Sequence, residues 1–294
     1  MKSGVERVNA YKIISWVILI VLALLFLFPL YWIIIGAFET AKDINATSPV
    51  WFPTEWTLVN FQNLFSKRTA PLLGDGSLLS VEVPAAIRWL LNTVFMAVAA
   101  MILTCITAAM AGYALAKKRF RGRAIVFGLI VCAMALPKQV ILIPLLKEMS
   151  ALNLIDNIWA VIFPTVGWPF GVFLMKQFSE GIPGELLEAA RIDGAGELRT
   201  FTTVALPIIQ PGIGALAIFT FINSWNDYFM QLVMLQSSKN YTISLGIATL
   251  QAESSIDMGL LMAGAALAAA PIILVFLIFQ KYFTQGVTMG AVKG

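Results

Sequence analysis

Apolar runs near 20 residues long alternate with polar stretches along this chain. That is the length a helix needs to cross a bilayer core of about 30 Å. Six runs are legible, at about Ile13–Ala37, Trp89–Leu115, Ala124–Leu146, Ile158–Met175, Ile208–Leu235 and Leu260–Phe279. The third is interrupted by Pro137 and Pro144, and the fourth by Pro164 and Pro169. The fifth is entered through Pro207 and Pro211, and the sixth carries Pro271. Prolines are tolerated in spans where neighbouring helices or water re-satisfy the freed backbone groups. The pattern therefore predicts an all-α membrane protein, a kinked bundle of six transmembrane helices forming one domain over residues 1–294. The first run is too long for the apolar core of a signal peptide and lacks a small-residue cleavage site after it, so it reads as an uncleaved anchor. Three polar stretches stand out: residues 38–88 and 236–258 on one side of the membrane, and 178–207 on the other. The first of these carries Trp51, Phe52, Pro53 and Trp56. The chain has no repeat of fixed period and no low-complexity tract.

Composition agrees with the membrane reading. The chain is 59% hydrophobic and 12% charged, where soluble domains carry about 25% charged residues. Six spans place both termini on one side, and Lys and Arg choose which. Of the 20 Lys and Arg residues, 13 fall in the N-terminal segment, the connections after spans two and four, and the tail. The other side has seven, spread over longer loops. Both termini are expected to be cytoplasmic, and residues 178–207 with them. Histidine is absent, which removes the commonest general base and metal ligand. Cys105 and Cys132 lie in apolar runs without CxxC spacing and read as small buried hydrophobes.

The polar stretch ELLEAARIDGAGELRTFTTVALP, residues 185–207, is longer than a connection between spans requires. Pro183 suits a first helical turn. Glu185 and Glu188 lie toward the N-terminal half and Arg191 toward the C-terminal half, as the helix dipole favours. Gly194 can adopt the left-handed conformation that ends a helix. A second helix can begin after Gly196, with Leu198, Phe201 and Ala205 on one face. A helix of about ten residues is marginal alone, and Leu186, Ala189 and Ala190 give it a close-packing face. The physical expectation is a short helix that docks in a partner's groove; the plainer alternative is a helix lying on the bilayer surface, which its acids disfavour.

In the fifth span, helical spacing puts Asn223, Asn226 and Asp227 on one face, with Trp225 between them. Polar residues within a membrane face a cavity or a partner helix. Two readings stay open: these four residues line or gate a translocation path, or they form a polar clamp between helices near the outer interface. In span six the run Ala263–Ala270 suits close helix packing. Lys138, after Pro137, either lies toward the bundle or snorkels outward.

Glu188-Ala189-Ala190, then Gly194, then Val204-Ala205-Leu206-Pro207 resembles the EAA signature of ABC-importer permeases, with Val204 where that family usually shows Ile. GYALAKKRFRG after span two, SWNDYF in span five and the ending QKYFTQGVTMGAVKG resemble the carbohydrate-uptake branch and its MalG-type subunits. Motifs match from about residue 90 to the end, and the first outer loop matches least. The resemblance implies a type I importer permease fold in a bacterial-type inner or plasma membrane. It implies that Glu188, Ala189, Ala190, Asp193 and Gly194 contact an ATPase subunit, with the tail 290–294 near the same interface. Implied partners are two copies of a cytoplasmic ABC ATPase, a second homologous permease of the MalF type, and an extracytoplasmic solute-binding protein; no nucleic acid is expected. Residues about 237–255 would face the binding protein, with Gln251, Ala252, Glu253, Ser254 and Ser255 as contacts. Sugar contacts would come mainly from the partner permease. No G-x-x-x-x-G-K-[ST] phosphate loop occurs in the sequence, so ATP would be bound by partner subunits, and this chain is expected to hold no catalytic residue, cofactor or metal. The alternative class is an ion-coupled secondary transporter, which usually carries several ionisable residues at mid-membrane; here Asp227 and Lys138 are the clear candidates.

Overall fold

The computed structural model describes residues 10–71, 81–253 and 257–291. In chain order the helices begin with α1 (Ala10–Gly36), α2 (Ala41–Ile44) and α3 (Val59–Ser66). A small antiparallel hairpin, β1 (Thr69–Pro71) with β2 (Glu82–Pro84), leads into α4 (Ala85–Lys117). Then come α5 (Arg123–Met134), α6 (Lys138–Ala151), α7 (Trp159–Val166), α8 (Pro169–Glu180) and α9 (Gly184–Ile192). Next are α10 (Glu197–Thr200), a π-helical turn over Phe201–Ala205, and α11 (Leu206–Ile208). The chain continues as α12 (Gln210–Asn226), α13 (Tyr228–Met234), α14 (Ile243–Glu253) and α15 (Met258–Ala291).

Four helical stretches are long and apolar enough to cross a bilayer: α1, α4, α7 with α8, and α15. Six spans result when two bent pairs each count as one. One pair is α5 with α6, bent by 108°, and the other is α10–α11 with α12, bent by 78°. The continuous third run expected from hydropathy is thus divided. The cause is Pro137, which has no N–H to donate and disfavours helical backbone in the residue before it; it becomes the N-cap of α6 instead. The fifth run divides twice, at Ile209 ahead of Pro211 and again at Asp227, whose ψ of 64° leaves the helical region.

α4 is the central post. It packs against α7, α8, α12 and α14. Gly112 makes the α4–α8 approach possible, because a Cβ there would sit 2.6 Å from the backbone of Met175 and Lys176. Buried apolar residues gather in three clusters down the bundle. One surrounds Trp89, Phe221, Trp225 and Ala263. A second surrounds Met96, Ile162 and Met234. The third surrounds Tyr113, Met175, Leu187 and Ile209. The small-residue run of span six packs as expected: Ala263 is fully buried, and a Cβ on Gly264 would press 2.8 Å from Ile247.

The two outer stretches are folded segments, contrary to their reading as loops. In the first, Asn60 donates to the carbonyls of Ala37 (3.1 Å) and Glu39 (2.8 Å). The Asp43 carboxylate accepts from the Thr54 N–H at 3.0 Å and its hydroxyl at 2.8 Å. The second contains α14, whose Ile243, Leu245 and Leu250 are buried. It is pinned to α4 by Trp89 Nε1, which donates to the Ser238 carbonyl (2.7 Å), and by Asn92, which donates to Lys239 (2.8 Å) and Tyr241 (2.9 Å). Cys132 also departs from expectation: it is exposed on α5, while Cys105 is half-buried. α1, like α5, has almost none of its apolar surface covered by the rest of the chain. Its apolar side chains from Tyr11 to Phe28 stand largely uncovered by this chain, Tyr11 at 78% and Phe26 at 77% exposure.

Candidate functional site

Helix α9 carries the Glu-Ala-Ala motif. It starts after Pro183, has Glu185 in its first turn and Arg191 in its last. It ends as its sequence suggests, with Gly194 at φ +77°. The Gly194 N–H donates to the Arg191 carbonyl (3.0 Å) and the Ala195 N–H to the Ala190 carbonyl (2.9 Å). This doubly bonded cap satisfies the carbonyls that a helix end leaves open. A single anchor, buried Leu187, holds α9 to the bundle beside Tyr113, Met175 and Ala205. Glu188, Ala189, Asp193 and Gly194 are exposed and Ala190 is half-buried. The structure therefore brings all five expected ATPase-contact residues onto one protruding helix and its cap.

Apolar surface accompanies them. Ile192 is 86% exposed and Leu198 69%. Leu198 is thus uncovered while Ala205 is fully buried, and a π-helical turn lies between them. That turn is closed by the Leu206 N–H donating five residues back to Phe201. It sits one residue before Pro207, which can donate nothing. The base of the loop is held by charge. Lys117 Nζ donates to the carbonyls of Glu180 (3.0 Å) and Ile182 (2.7 Å) at the end of α8, a favourable place for a cation. Glu197 pairs with Lys118 and, at 3.6 Å, with Arg191. The Lys118 hydrogen bond, aided by both cations, holds the Glu197 carboxyl below its ordinary pKa.

The polar cluster of the fifth span is only partly as its spacing suggests. Asn223, Ser224 and Asp227 line a cavity of about 290 Å³ at the junction of the bent spans, together with Lys138 and Trp168. Lys138 Nζ lies 3.1 Å from Asp227 Oδ2 and 5.4 Å from the centre of the Trp168 ring. Asp227 Oδ1 also accepts the Met230 N–H at 3.4 Å, capping α13. Trp225 does not line this cavity: it is 1% exposed and packs on Phe221 in the outer core. Asn226 does not line this cavity either; it is exposed and donates to the Ile222 carbonyl at 3.0 Å. Gln231 repairs the break at Asp227. Its amide donates to the Ser224 (3.2 Å) and Trp225 (3.4 Å) carbonyls, and its Oε1 accepts from Thr242.

On the outer side, Asp156 joins the α6–α7 turn to the segment after α13. Its Oδ1 accepts the N–H groups of Gln236 (2.9 Å) and Ser237 (2.8 Å), and its Oδ2 accepts the Ser237 hydroxyl. Sequence spacing gives no sign of this contact across 80 residues. Of the expected binding-protein contacts, Gln251 and Ala252 are exposed near the end of α14 and Glu253 is its last residue. Ser254 and Ser255, like residues 292–294 of the tail, lie outside the described residues.

Residues 106–289 match the family described as binding-protein-dependent transport system inner membrane component. That stretch holds the α9 motif, the bent fifth span and most of the bundle. The chain belongs to this family. Its relatives include the arabinooligosaccharides transport system permease protein AraQ of Halalkalibacterium halodurans, 33% identical over 96% of this chain and 98% of that protein. The maltodextrin transport system permease protein MdxG of Bacillus subtilis is 31% identical over 96% of each. In three dimensions the chain is similar to a subunit of a bacterial ABC transporter involved in the import of the acidic polysaccharide alginate. The TM-score is 0.76 over 96% of this chain and 100% of that one, at 23% identity, which speaks to the fold. As a member of this permease family the chain is a multi-pass inner-membrane component of a transport system. The match gives no support to the ion-coupled alternative.

Proposed function

We propose that this chain is the permease subunit of an ATP-driven importer of sugars or oligosaccharides in a bacterial-type plasma membrane. In this reading it forms half of the translocation path beside a second, homologous permease. Two copies of a cytoplasmic ATPase bind and hydrolyse the ATP, and a solute-binding protein delivers cargo at the outer side. The observation that carries the reading is α9: a short, firmly capped helix on one buried anchor, with Glu188, Ala189 and Ile192 uncovered. Such a helix is marginal unless a partner surrounds it. Cargo class rests on the named cargoes of the relatives, which are arabino-oligosaccharides and maltodextrin.

Gly194 gives the test. Nothing lies within 4 Å of a Cβ built there, so the cost of substitution is purely conformational, about 1–2 kcal/mol for an L-residue in the left-handed region. A β-branched residue suffers most, and Asn tolerates the region better. Gly194→Val is expected to reduce co-purification of the ATPase at least fivefold while the protein still inserts, with Gly194→Asn between it and wild type. Normal ATPase capture and normal ligand-stimulated hydrolysis in Gly194→Val would remove the coupling role.

A further inference from the structure

We propose that the cavity between the two bent spans is a subsite for one neutral sugar ring inside this subunit, with the Lys138–Asp227 pair as its polar wall and Trp168 as its stacking face. The inference rests on the importer reading above and departs from the expectation that sugar contacts belong mainly to the partner permease.

Four observations carry it. The first is size. At about 290 Å³ the cavity falls just below the roughly 300–1,000 Å³ range of small-ligand sites, room for a ring but not a chain. The second is donor and acceptor content. Asp227 is an acceptor on a side chain only 17% exposed, and Lys138 is a donor at 49%. Asn223 commits its amide N–H to the Phe219 carbonyl at 2.8 Å, and no described hydrogen bond occupies its Oδ1. Ser224 is 2% exposed, yet its hydroxyl has no hydrogen-bond partner among the described residues. The third is the aromatic ring. Trp168 is the N-cap of α8, ahead of Pro169, and its indole is fixed beside Lys138 and against Phe170. An indole presents an apolar face with a polar edge, which suits the C–H face and rim hydroxyls of a sugar.

The fourth is location. Each wall stands at a chain break: Lys138 follows the Pro137 bend, Trp168 lies between α7 and α8, and Asp227 lies between α12 and α13. Irregular backbone at membrane depth is tolerated where it lines a cavity or is buried in protein. Charge sets the cargo class. The pair is neutral overall, so an uncharged ring can exchange hydrogen bonds with both partners. An acidic ring would bring a second carboxylate beside mostly buried Asp227, which is unfavourable.

The test uses the complete importer, with its ATPase, second permease and binding protein, in proteoliposomes. The quantity read is sugar taken up per ATP hydrolysed at saturating binding protein, with maltotriose, arabinotriose and an alginate trisaccharide as probes. Uptake of a neutral probe in preference to the acidic one is expected. Trp168→Leu and Asn223→Ala are expected to lower the ratio at least fivefold in assembled complexes that still hydrolyse ATP on stimulation, and Trp168→Tyr to keep most of it. Should Trp168→Leu fail to assemble, Asn223→Ala decides on the same criterion. An unchanged ratio overturns the subsite and leaves the importer reading standing, as does a ratio preserved because uptake and hydrolysis fall together. Preference for the acidic probe overturns the neutral-ring assignment. A wild-type complex that takes up none of the probes overturns the subsite and the sugar reading together.

Discussion

Asp156 gathers two backbone N–H groups and one hydroxyl from a segment 80 residues away. Burial pushes its carboxyl pKa up, but the Ser237 and Gln236 hydrogen bonds outweigh that and hold it below the ordinary value of 3.8. A carboxyl whose pKa is lowered by folding stabilises the fold above its unfolded value, and that contribution is lost as pH falls through the folded one. The Asp156 contribution to melting of the purified protein is therefore expected to be lost as pH falls below about 4. Asp156→Asn should start from a lower melting temperature and lose part of that acid dependence; equal acid slopes in the two proteins would contradict the account. Residues of this kind mark what the sequence hides. The spacing of a single helix groups Asn223 with Asp227, and the structure agrees. The same spacing cannot say that Trp225 turns into the core, or that Lys138 and Asp227 meet across 89 residues. By contrast, Gly194 was readable because its role depends only on its own backbone and its immediate neighbours.

Helices divide in the same way between local and distant causes. Hydropathy located all the membrane segments, and the prolines marked where they weaken. Hydropathy counts apolar residues without regard to direction, so it could not distinguish one straight span from α5 and α6 meeting at 108°. Nor could it find α14, an apolar helix of 11 residues too short to register as a span and hidden in an apparent loop. Glycines within helices give a test of the packing. Gly112 faces backbone atoms of Met175 and Lys176 at 2.6 Å, while a Cβ on Gly128 meets nothing within 4 Å. Backbone atoms cannot step aside, and overpacking costs about 1–3 kcal/mol. Gly112→Ala should lower the melting temperature by several degrees. Gly128→Ala on α5 should leave it unchanged or raise it, since Ala is the better helix former by about 1 kcal/mol. If both variants melted alike, the close α4–α8 approach would be wrong.

At the scale of the whole molecule the chain is a bundle around α4, with the α9 loop uncovered at one end and the apolar sides of α1, α5 and α6 uncovered along its length. Covered surfaces explain stability, and these open ones explain why the chain is read as one part of an assembly. The family and the α9 motif were legible in the sequence because the motif is local and its spacing long. The covering partners were not, since one chain records only its own half of each contact. The central claim is that transport by this assembly is driven by ATP and fed by a binding protein. The most direct measurement is uptake of labelled oligosaccharide into proteoliposomes holding the complete complex, with ATP, binding protein and ion gradients supplied or withheld one at a time. The account predicts uptake that needs both ATP and the binding protein and is indifferent to collapse of the proton and sodium gradients. Uptake that persists without ATP and disappears with an ion gradient would contradict it.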